Sequence, residues 1–315
     1  MFAHNFPFDP TYGYTELDLL SVGLPESPLD FAAFWTETFR ANASIALNTH
    51  VVQSDSAHPG FDLSIAEFDT LGGYRIGAWI AYPKSGDIES AIVISQGYGG
   101  RSAPDFSQIP QGLAAIFPCA PGFGLSAHPD LPDDKMGHVI HRIDDRDAYL
   151  IRPCVTSIWS ATTLLLELFP DAIGRIYFRG ASFGGGIGAL ALPWDDRLTK
   201  AHLKVPTFGN HPIRNVCPCE GSGKAAAEHV AANPCASSVL AYYDAATAAS
   251  YIRIPVHGAP ALFDPKVPPP GQFAVTNALP NTAQIRILKA GHFEYPGQQE
   301  ENAALNDDLA AWFSD

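Results

Sequence analysis

The sequence feature that most constrains the fold is a serine set between glycines directly after a short apolar run. Residues 173–178 supply the apolar run, which suits a buried strand, and Gly180-Ala181-Ser182-Phe183-Gly184 follows it. A serine on a tight strand-to-helix turn has a strained backbone, so its neighbours two positions away must be small. The pattern therefore predicts a strand, a turn at Ser182 and a helix through residues 185–192, whose N-terminus faces the serine oxygen. The alternative is a glycine-rich turn without chemistry, because short patterns also arise by chance.

A second glycine-rich turn follows an earlier strand. Residues 91–95 form a compact β-branched run typical of a central parallel strand, and residues 96–100 supply the turn. Where a serine nucleophile lies on such a sheet, the N–H after the serine and an N–H of this early loop bind the developing oxyanion. The N–H groups of Phe183 and Tyr98 are the candidates. Without the serine turn, the early glycines would indicate only the end of a strand.

Two polar residues late in the chain complete a candidate triad. Asp264 follows the predicted strand at residues 254–263, and His292 follows the one at residues 284–289. The order serine, aspartate, histidine, each after a strand, is the order of α/β-hydrolases. We therefore predict Ser182 as the nucleophile, His292 as the general base and Asp264 as the residue that orients it. Taken singly, Asp264 before a proline is more often a turn residue, and His292 a surface histidine.

The chain as a whole is predicted to be one α/β-hydrolase domain over residues 1–315, with a mostly parallel central sheet flanked by helices. Apolar and polar residues alternate at residues 63–68 and 74–82, on either side of a Gly-Gly turn. This pattern predicts an antiparallel extension of that sheet. A weaker strand is predicted at residues 203–208.

Two segments are predicted to lie outside the regular sheet and helices of this domain. Residues 1–49 form an amino-terminal arm without regular structure followed by a helix, which we expect to start at Ser27-Pro28. Residues 210–238 carry Gly, Ala, Cys and Pro without clear periodicity. We predict that they are an irregular insertion near the mouth of the active site.

The charge balance excludes several classes of partner. The chain has 19 Lys and Arg against 33 Asp and Glu, a formal net charge of -14. Nucleic acids and anionic membranes carry the same sign, so neither is expected as a partner, and a neutral small molecule is favoured. The amino terminus has no basic segment before an apolar core, and no run is long enough to span a bilayer. We therefore expect a cytoplasmic protein.

No metal and no other cofactor are expected. The histidines and aspartates of residues 128–147 lack the spacing of helical ligand pairs, and Cys217, Cys219 and Cys235 lack C-x-x-C pairs. A disulfide between Cys235 and one of the other two stays open, although the cytosol would keep it reduced. A nucleotide cofactor is disfavoured, because no G-x-G-x-x-G opens a helix after the first strands.

Several blocks resemble carbohydrate esterase family seven, the acetyl xylan esterase and cephalosporin C deacetylase group. The resemblance covers most of the chain, and the order and spacing of the blocks agree. Residues 180–185 resemble the family's G-x-S-Q-G-G turn, and Gly291-His292 matches its catalytic histidine. The other matching blocks are 29–35 (D-F-x-x-F-W), 96–98 (H-G-Y), 242–244, 264–269 (D-x-x-x-P-P) and 273–277 (F-A-x-x-N).

The resemblance implies a site, a reaction and an assembly. Ser182, Asp264 and His292 would be the catalytic residues, and the amides of Tyr98 and Phe183 would form the oxyanion hole. The substrate would be a small acyl ester, foremost an acetyl ester, of a sugar or similar small molecule. The assembly would be a ring-like homo-oligomer, commonly a hexamer.

Three departures from the family pattern bear on these expectations. Gln96 replaces the histidine of H-G-Y, Phe183 replaces the glutamine after the nucleophile, and Pro121-Gly122-Phe123 replaces R-G-Q. A change of side chain leaves the backbone donor in place, so the N–H of Phe183 is still expected to bind the oxyanion. Gln96 and Phe123 are expected to line the substrate pocket and to alter the range of substrates.

Two other kinds of function stay open on the sequence alone. A peptidase or a carbon–carbon hydrolase uses the same serine turn, because G-x-S-x-G does not fix the leaving group. A non-catalytic binding protein on a hydrolase scaffold is also open. The intact order of the three triad residues speaks against it.

Overall fold

A single mixed sheet lies at the centre of the protein in the computed structural model, which describes residues 2–56 and 58–314. Its strands in these ranges are β1 (His50–Gln53), β2 (Phe61–Thr70), β3 (Tyr74–Pro83), β4 (Ala91–Ile94), β5 (Ala114–Pro118), β6 (Ile176–Ala181), β7 (Leu198–Lys204), β8 (Val256–Ala259) and β9 (Gln284–Ile285). They lie side by side in the order β1-β2-β3-β5-β4-β6-β7-β8-β9.

The amino-terminal part of the sheet is antiparallel, as its alternating sequence predicts. β2 and β3 form a hairpin whose pairing ends at Thr70 and Tyr74. Gly72 and Gly73 make the turn with φ of 85° and 77°, a region that glycine adopts without strain. β3 also pairs antiparallel with β5, which joins this extension to the rest of the sheet.

The remaining strands, from β5 through β4 to β9, run parallel to their neighbours. β4 and β5 are buried along their whole length, as expected of parallel strands covered on both faces. The predicted fold, a mostly parallel sheet with an antiparallel amino-terminal extension, is confirmed. The carboxyl ends of the parallel strands meet at one edge, where ligands bind in sheets of this kind.

Helices cover both faces of the sheet. Trp35 and Trp159 pack edge to face in the core on one face, with ring centroids 6.3 Å apart. Leu309 and Trp312 belong to the core on the other face, together with Ile92. The helices are α1 (Glu16–Leu20), α2 (Phe31–Ala43), α3 (Lys135–Ile140), α4 (Ile151–Leu168), α5 (Phe183–Ala191), α6 (His211–Val216), α7 (Ser222–Ala232), α8 (Ala236–Leu240), α9 (Ala245–Ala249), α10 (Pro269–Asn277) and α11 (Gln298–Ser314).

The amino-terminal arm differs from its prediction in two ways. It contains the short helix α1, because Thr15 and Asp18 cap each other: the Asp18 N–H donates to the Thr15 hydroxyl, and the Thr15 N–H donates to the Asp18 carboxylate. The following helix α2 begins at Phe31 rather than at Ser27-Pro28. The N–H of Phe31 donates to the carbonyl of Pro28, so the proline forms a turn ahead of the helix.

Residues 210–238 are helical, which corrects the prediction of an irregular segment. They contain α6, α7 and the start of α8. Alanine recurs along α7 and favours a helix by intrinsic propensity even where no apolar stripe marks one. The predicted strand at residues 203–208 is also displaced, because β7 covers residues 198–204.

Three further observations concern membranes, metals and thiols. In the described ranges, no helix has both the length and the apolar character needed to cross a bilayer. In the same ranges, no three His, Cys, Asp or Glu side chains come together as a metal site would require. The five cysteines are free thiols, with Cys219 buried and Cys235 exposed, so no disulfide forms at Cys235.

Candidate active site

Ser182 lies on the turn between β6 and α5. Its backbone angles are φ 56° and ψ -116°, a region that residues with a side chain rarely adopt. A Cβ on Gly180 would lie 2.4 Å from the carbonyl oxygen of Gly184, and a Cβ on Gly184 would lie 2.7 Å from that of Gln96. The turn therefore needs glycine at both positions, since Gly180 lets the helix approach strand β6 and Gly184 lets it approach the loop after β4.

Ser182, His292 and Asp264 are joined by hydrogen bonds at the carboxyl edge of the sheet. Nε2 of His292 lies 2.9 Å from Oγ of Ser182, and Nδ1 lies 2.8 Å from Oδ2 of Asp264. An ionised carboxylate only accepts hydrogen bonds, so the proton of the neutral imidazole belongs on Nδ1. Nε2 then accepts from the serine hydroxyl, which is the arrangement that a general base needs.

The Asp264 carboxylate is fully buried and is held by three further donors. Its Oδ1 accepts from the N–H groups of Lys266 and Val267, at 2.8 and 3.0 Å. Its Oδ2 accepts from the side-chain amide of Gln272 at 2.9 Å. Gln272 is itself fixed, because its Oε1 accepts from the N–H of Ala261 at 2.8 Å. The carboxylate is therefore fixed in position toward His292.

The two candidate oxyanion donors flank Ser182. The N–H of Phe183 is the first of helix α5, and the N–H of Tyr98 lies in the loop after β4. Neither donates a hydrogen bond within the described ranges. The rings of the two residues stack with centroids 4.1 Å apart and planes at 26°. This contact fixes the Tyr98 loop against the start of the helix.

His138 positions Tyr98 from behind, and sequence reasoning did not single it out for this role. Its Nε2 lies 2.9 Å from the carbonyl oxygen of Pro121, so Nε2 carries the proton. Nδ1 then accepts from the hydroxyl of Tyr98 at 3.2 Å. Burial lowers the pKa of His138 to about 4, so the ring is neutral at pH 7. Burial also raises the pKa of Tyr98, which stays a hydroxyl donor.

The cavity at Ser182 has a volume of about 310 Å³. Its walls combine backbone amides of the Tyr98 loop with hydroxyl and amino groups, and the helix α7 that the sequence did not predict contributes Ser222. The lining residues are Gly97, Tyr98, Gly99, Lys135, Ser182, Thr207, Gly221, Ser222, Lys266, Val267 and His292.

Gln96 and Phe123, the two residues expected in the substrate pocket, lie outside this lining. The Phe123 side chain is 6% exposed and packs on the ring of His138 at 4.8 Å between centroids. Gln96 lies behind the serine turn and lines a neighbouring cavity. Phe123 therefore packs on the histidine that holds Tyr98, and Gln96 lies behind the serine turn. Neither side chain lies in the space in front of Ser182.

Comparison with solved structures shows the fold shared with several hydrolases. An acetyl xylan esterase from Paenibacillus sp. R4 superposes with a TM-score of 0.81 at 21% identity, over 94% of this chain and 99% of that chain. Acetyl xylan esterase 1 from Thermoanaerobacterium sp. JW/SL YS485 gives 0.82 at 19% identity, over 96% and 99%. An acylaminoacyl peptidase from Pyrococcus horikoshii gives 0.62 at 13% identity, over 82% of this chain and 42% of that one.

Comparison of sequences gives the family. No curated protein sequence matches the chain. The sequence profile of the family described as Acetyl xylan esterase (AXE1) matches residues 21–308, which is nearly the whole chain and includes every member of the candidate triad. The chain therefore belongs to the acetyl xylan esterase family and is a carboxylic ester hydrolase on the α/β-hydrolase fold.

Proposed function

We propose that this protein is a serine esterase that removes short acyl groups, foremost acetyl, from sugars or similar small molecules through an acyl-enzyme intermediate. The observation that carries the proposal is the hydrogen-bonded chain from Ser182 through His292 to Asp264. The two acetyl xylan esterases that share the fold support acetyl as the acyl group.

Acylation is the first half of the proposed reaction. Oγ of Ser182 attacks the ester carbonyl carbon while its proton passes to Nε2 of His292. Asp264 stabilises the positive charge that forms on the imidazole. The N–H groups of Tyr98 and Phe183 bind the oxyanion of the tetrahedral intermediate. His292 then gives the proton to the leaving alcohol oxygen as the carbon–oxygen bond breaks, which leaves the acyl group on Ser182.

Deacylation repeats these steps with water. His292 takes a proton from the water as its oxygen attacks the acyl carbon, and the same two amides bind the second oxyanion. Collapse of the intermediate returns the proton to Oγ of Ser182 and releases the carboxylic acid. The residues already named serve both halves, so no cofactor is part of the proposal.

The size and chemistry of the cavity support a small, polar substrate. A volume of about 310 Å³ is at the lower end for small-molecule sites, which favours a short acyl group. Thr207, Ser222 and Lys135 supply polar groups to the lining, which suits a leaving group that carries hydroxyls.

Replacement of the nucleophile tests the proposal. Ser182→Ala should lower the hydrolysis of p-nitrophenyl acetate by about a thousandfold or more, because acyl transfer loses its attacking oxygen. The matched control is Ser237→Ala, which removes the hydroxyl of an exposed serine on α8. The thermal unfolding of both variants should remain close to that of the native protein. Turnover retained in Ser182→Ala would contradict the assignment.

A peptidase is the second candidate, and the shared fold of the acylaminoacyl peptidase is the observation that favours testing it. Purified protein should be assayed with acetylated sugars, with p-nitrophenyl esters of increasing acyl length and with aminoacyl amides. Faster cleavage of the amides than of the acetyl esters would favour the peptidase.

A carbon–carbon hydrolase and a non-catalytic binding protein are tested with the same purified protein. Labelling of Ser182 by a serine-directed phosphonate separates an enzyme from a binding protein, because only an activated serine reacts. A labelled protein that cleaves neither esters nor amides would favour the carbon–carbon hydrolase.

We also propose that the protein assembles as a ring-like homo-oligomer, a hexamer, which the family resemblance implies. Size-exclusion chromatography with light scattering tests this proposal directly. A mass of six chains supports it, and a mass of one chain, 33.8 kDa, contradicts it.

A further inference from the structure

A cavity of about 370 Å³ lies behind the serine turn and has no part in the proposed reaction. It opens at the carboxyl ends of β4, β6 and β7, the edge where sheets of this kind bind ligands. Its lining shares only Gly97 with that of the cavity at Ser182. The lining residues are Ser95, Gln96, Gly97, Gly100, Arg101, Ala103, Asp105, Gln108, Arg179, Gly180, Ala181, His202 and Lys204.

Three cationic side chains line this small space. Arg101 comes from the loop after β4, Arg179 from β6 and Lys204 from β7. Each is partly buried, and none lies within 4.0 Å of a carboxylate oxygen in the described part of the chain. Unpaired cations removed from water are unfavourable, because they lose hydration without gaining a counter-charge. This arrangement therefore calls for an anion.

The protein groups that accept hydrogen bonds from these cations are neutral, and they do not use all of the N–H donors. Nη2 of Arg101 donates to the carbonyl of Ser95 at 2.9 Å, but its buried Nη1 has no partner in the described ranges. Arg179 donates through Nη1 to the carbonyl of Gln108 at 3.0 Å. Lys204 donates to the side-chain oxygen of Asn302 at 3.1 Å.

Gln96 is an independent sign that the cavity is built for a polar ligand. Gln96 is 2% exposed, and neither its side-chain oxygen nor its side-chain nitrogen has a hydrogen-bond partner in the described ranges. Leaving such groups unpaired in a protein interior is unfavourable. A ligand with oxygen atoms would accept from the amide nitrogen.

The remaining titratable groups of the lining offset the three cations only in part. Asp105 is the one carboxylate there. Its charge favours the charged forms of Arg101 and Arg179, but its oxygens accept hydrogen bonds from Ser107 and Gln108 rather than from the cations. Burial, together with the neighbouring His257, lowers the pKa of His202 well below its ordinary value, so His202 is neutral. Burial lowers the pKa of Lys204 as well, and the charge of Arg179 adds to that shift. Mutual repulsion of this kind is what a bound anion relieves.

We propose that this cavity binds a small oxyanion with more than one negative charge, for which inorganic phosphate is the probe. Guanidinium groups match the oxygen spacing of phosphate, and an ammonium group adds a point charge. The site is separate from the proposed reaction, because a phosphate here would contact Arg101, Arg179 and Lys204 rather than Ser182.

Calorimetric titration of the purified protein with inorganic phosphate tests the site, with chloride at equal ionic strength as the reference. Arg179→Met and Lys204→Met should each weaken phosphate binding by about tenfold or more, because each removes a charge-assisted hydrogen bond. Arg253→Met, which removes an exposed cation elsewhere, should leave the affinity unchanged. Ser182→Ala should also bind phosphate as the native protein does, whether or not the proposed esterase function holds.

Thermal unfolding of the native protein covers the case in which the variants fail to fold. A ligand that binds the native state raises Tm with its concentration, so phosphate should raise Tm above the value in matched chloride. If phosphate gives no heat of binding in the titration and does not raise Tm, the proposal is overturned. Binding that survives both substitutions but is lost in Lys266→Met would also overturn it, since it would place the anion in the cavity at Ser182.

Discussion

Gln272 fixes the candidate triad without belonging to it. Its amide donates to Asp264 Oδ2 and its Oε1 accepts from the N–H of Ala261. Gln272→Leu removes both of these bonds and a third, which the amide donates to the carbonyl of Val267, and it leaves the N–H of Ala261 unpaired. We expect a loss of about 1.5–3 kcal/mol in unfolding free energy and a fall in kcat of roughly tenfold or more. Urea unfolding and p-nitrophenyl acetate kinetics measure the two effects.

The control for this prediction is Gln53→Leu on the exposed strand β1, which changes the same side chain where nothing is buried. Unchanged kcat in Gln272→Leu, alongside a measurable loss of stability, would show that Gln272 is structural and does not orient Asp264.

His138 gives the protein a pH dependence with a definite sign. Its pKa is lowered by burial to about 4 in the folded protein from 6.5. The unfolded chain therefore binds the proton first as the pH falls. The contribution of His138 to stability is complete above about pH 6.5 and is lost towards pH 4, on the order of 3 kcal/mol. Urea unfolding at intervals from pH 7 to pH 4 measures it.

His138→Gln should flatten this dependence, whereas His128→Gln should not, because the His128 side chain is 57% exposed. An equal slope in His138→Gln and the native protein would refute the prediction. In the folded protein His138 is protonated only near its own pKa of about 4, which removes the acceptor of the Tyr98 hydroxyl, so esterase activity should fall as the pH approaches 4.

At the scale of elements, the packing of α5 on β6 and on the loop after β4 depends on Gly180 and Gly184. Gly184→Ala would place a Cβ 2.7 Å from the carbonyl oxygen of Gln96, which the backbone can relieve only by moving the helix. We expect a loss of about 1–3 kcal/mol and a lower Tm. Gly23→Ala is the matched control, since its Cβ would meet nothing within 4 Å. A Tm of Gly184→Ala equal to that of the control would contradict this account of the turn.

The elements that the sequence predicted well are those with a strong local signal. The hairpin β2–β3 follows from alternation and its glycine turn, and the serine turn from G-x-S-x-G. Helix α7 was missed because its signal is alanine propensity, which an apolar-periodicity criterion does not detect. Helix α1 was missed although Thr15 and Asp18 carry a capping box, a signal that could have been found.

At the scale of the whole molecule, the amino-terminal arm is tied to the candidate site. Phe2 packs on Phe293 with ring centroids 5.7 Å apart, and the carbonyl of Pro10 accepts from the N–H of Asp264 at 3.1 Å. Deleting residues 1–13 would leave that buried N–H unpaired and expose the rings of Phe263, Phe293 and Tyr295, on which Phe2 packs. We expect a lower Tm and a kcat reduced by about tenfold or more.

Leu17→Ala is the control in the same arm, because that side chain is 77% exposed. Differential scanning calorimetry and kinetics on the two proteins separate the outcomes. Native kcat in the truncated protein would show that the arm contributes to the fold and not to the site.

The order of Ser182, Asp264 and His292 along the chain was enough to predict that they meet, because parallel strands bring their carboxyl ends to one edge. The supporting contacts were beyond the sequence, since no motif marks the side chains that make them. His138 lies 40 positions along the chain from Tyr98, and Lys204 lies 98 positions from Asn302.

Gln96 and Phe123, which the motifs placed in the substrate pocket, lie outside the lining of the cavity at Ser182 for a related reason. A position in a motif does not say which way its side chain lies. Gln96 is buried behind the serine turn and Phe123 against His138, and those directions follow from the packing of the loops after β4 and β5.

Ser182 and His292 both hold a left-handed backbone, with φ of 56° and 46°. A residue with a side chain pays about 1–3 kcal/mol for such a conformation, and glycine avoids most of it. Folding therefore disfavours the backbone at both positions, and the rest of the domain must offset that cost. The strain lies where Oγ of Ser182 and Nε2 of His292 are 2.9 Å apart, so at this edge of the sheet a geometry suited to chemistry and the stability of the fold oppose each other.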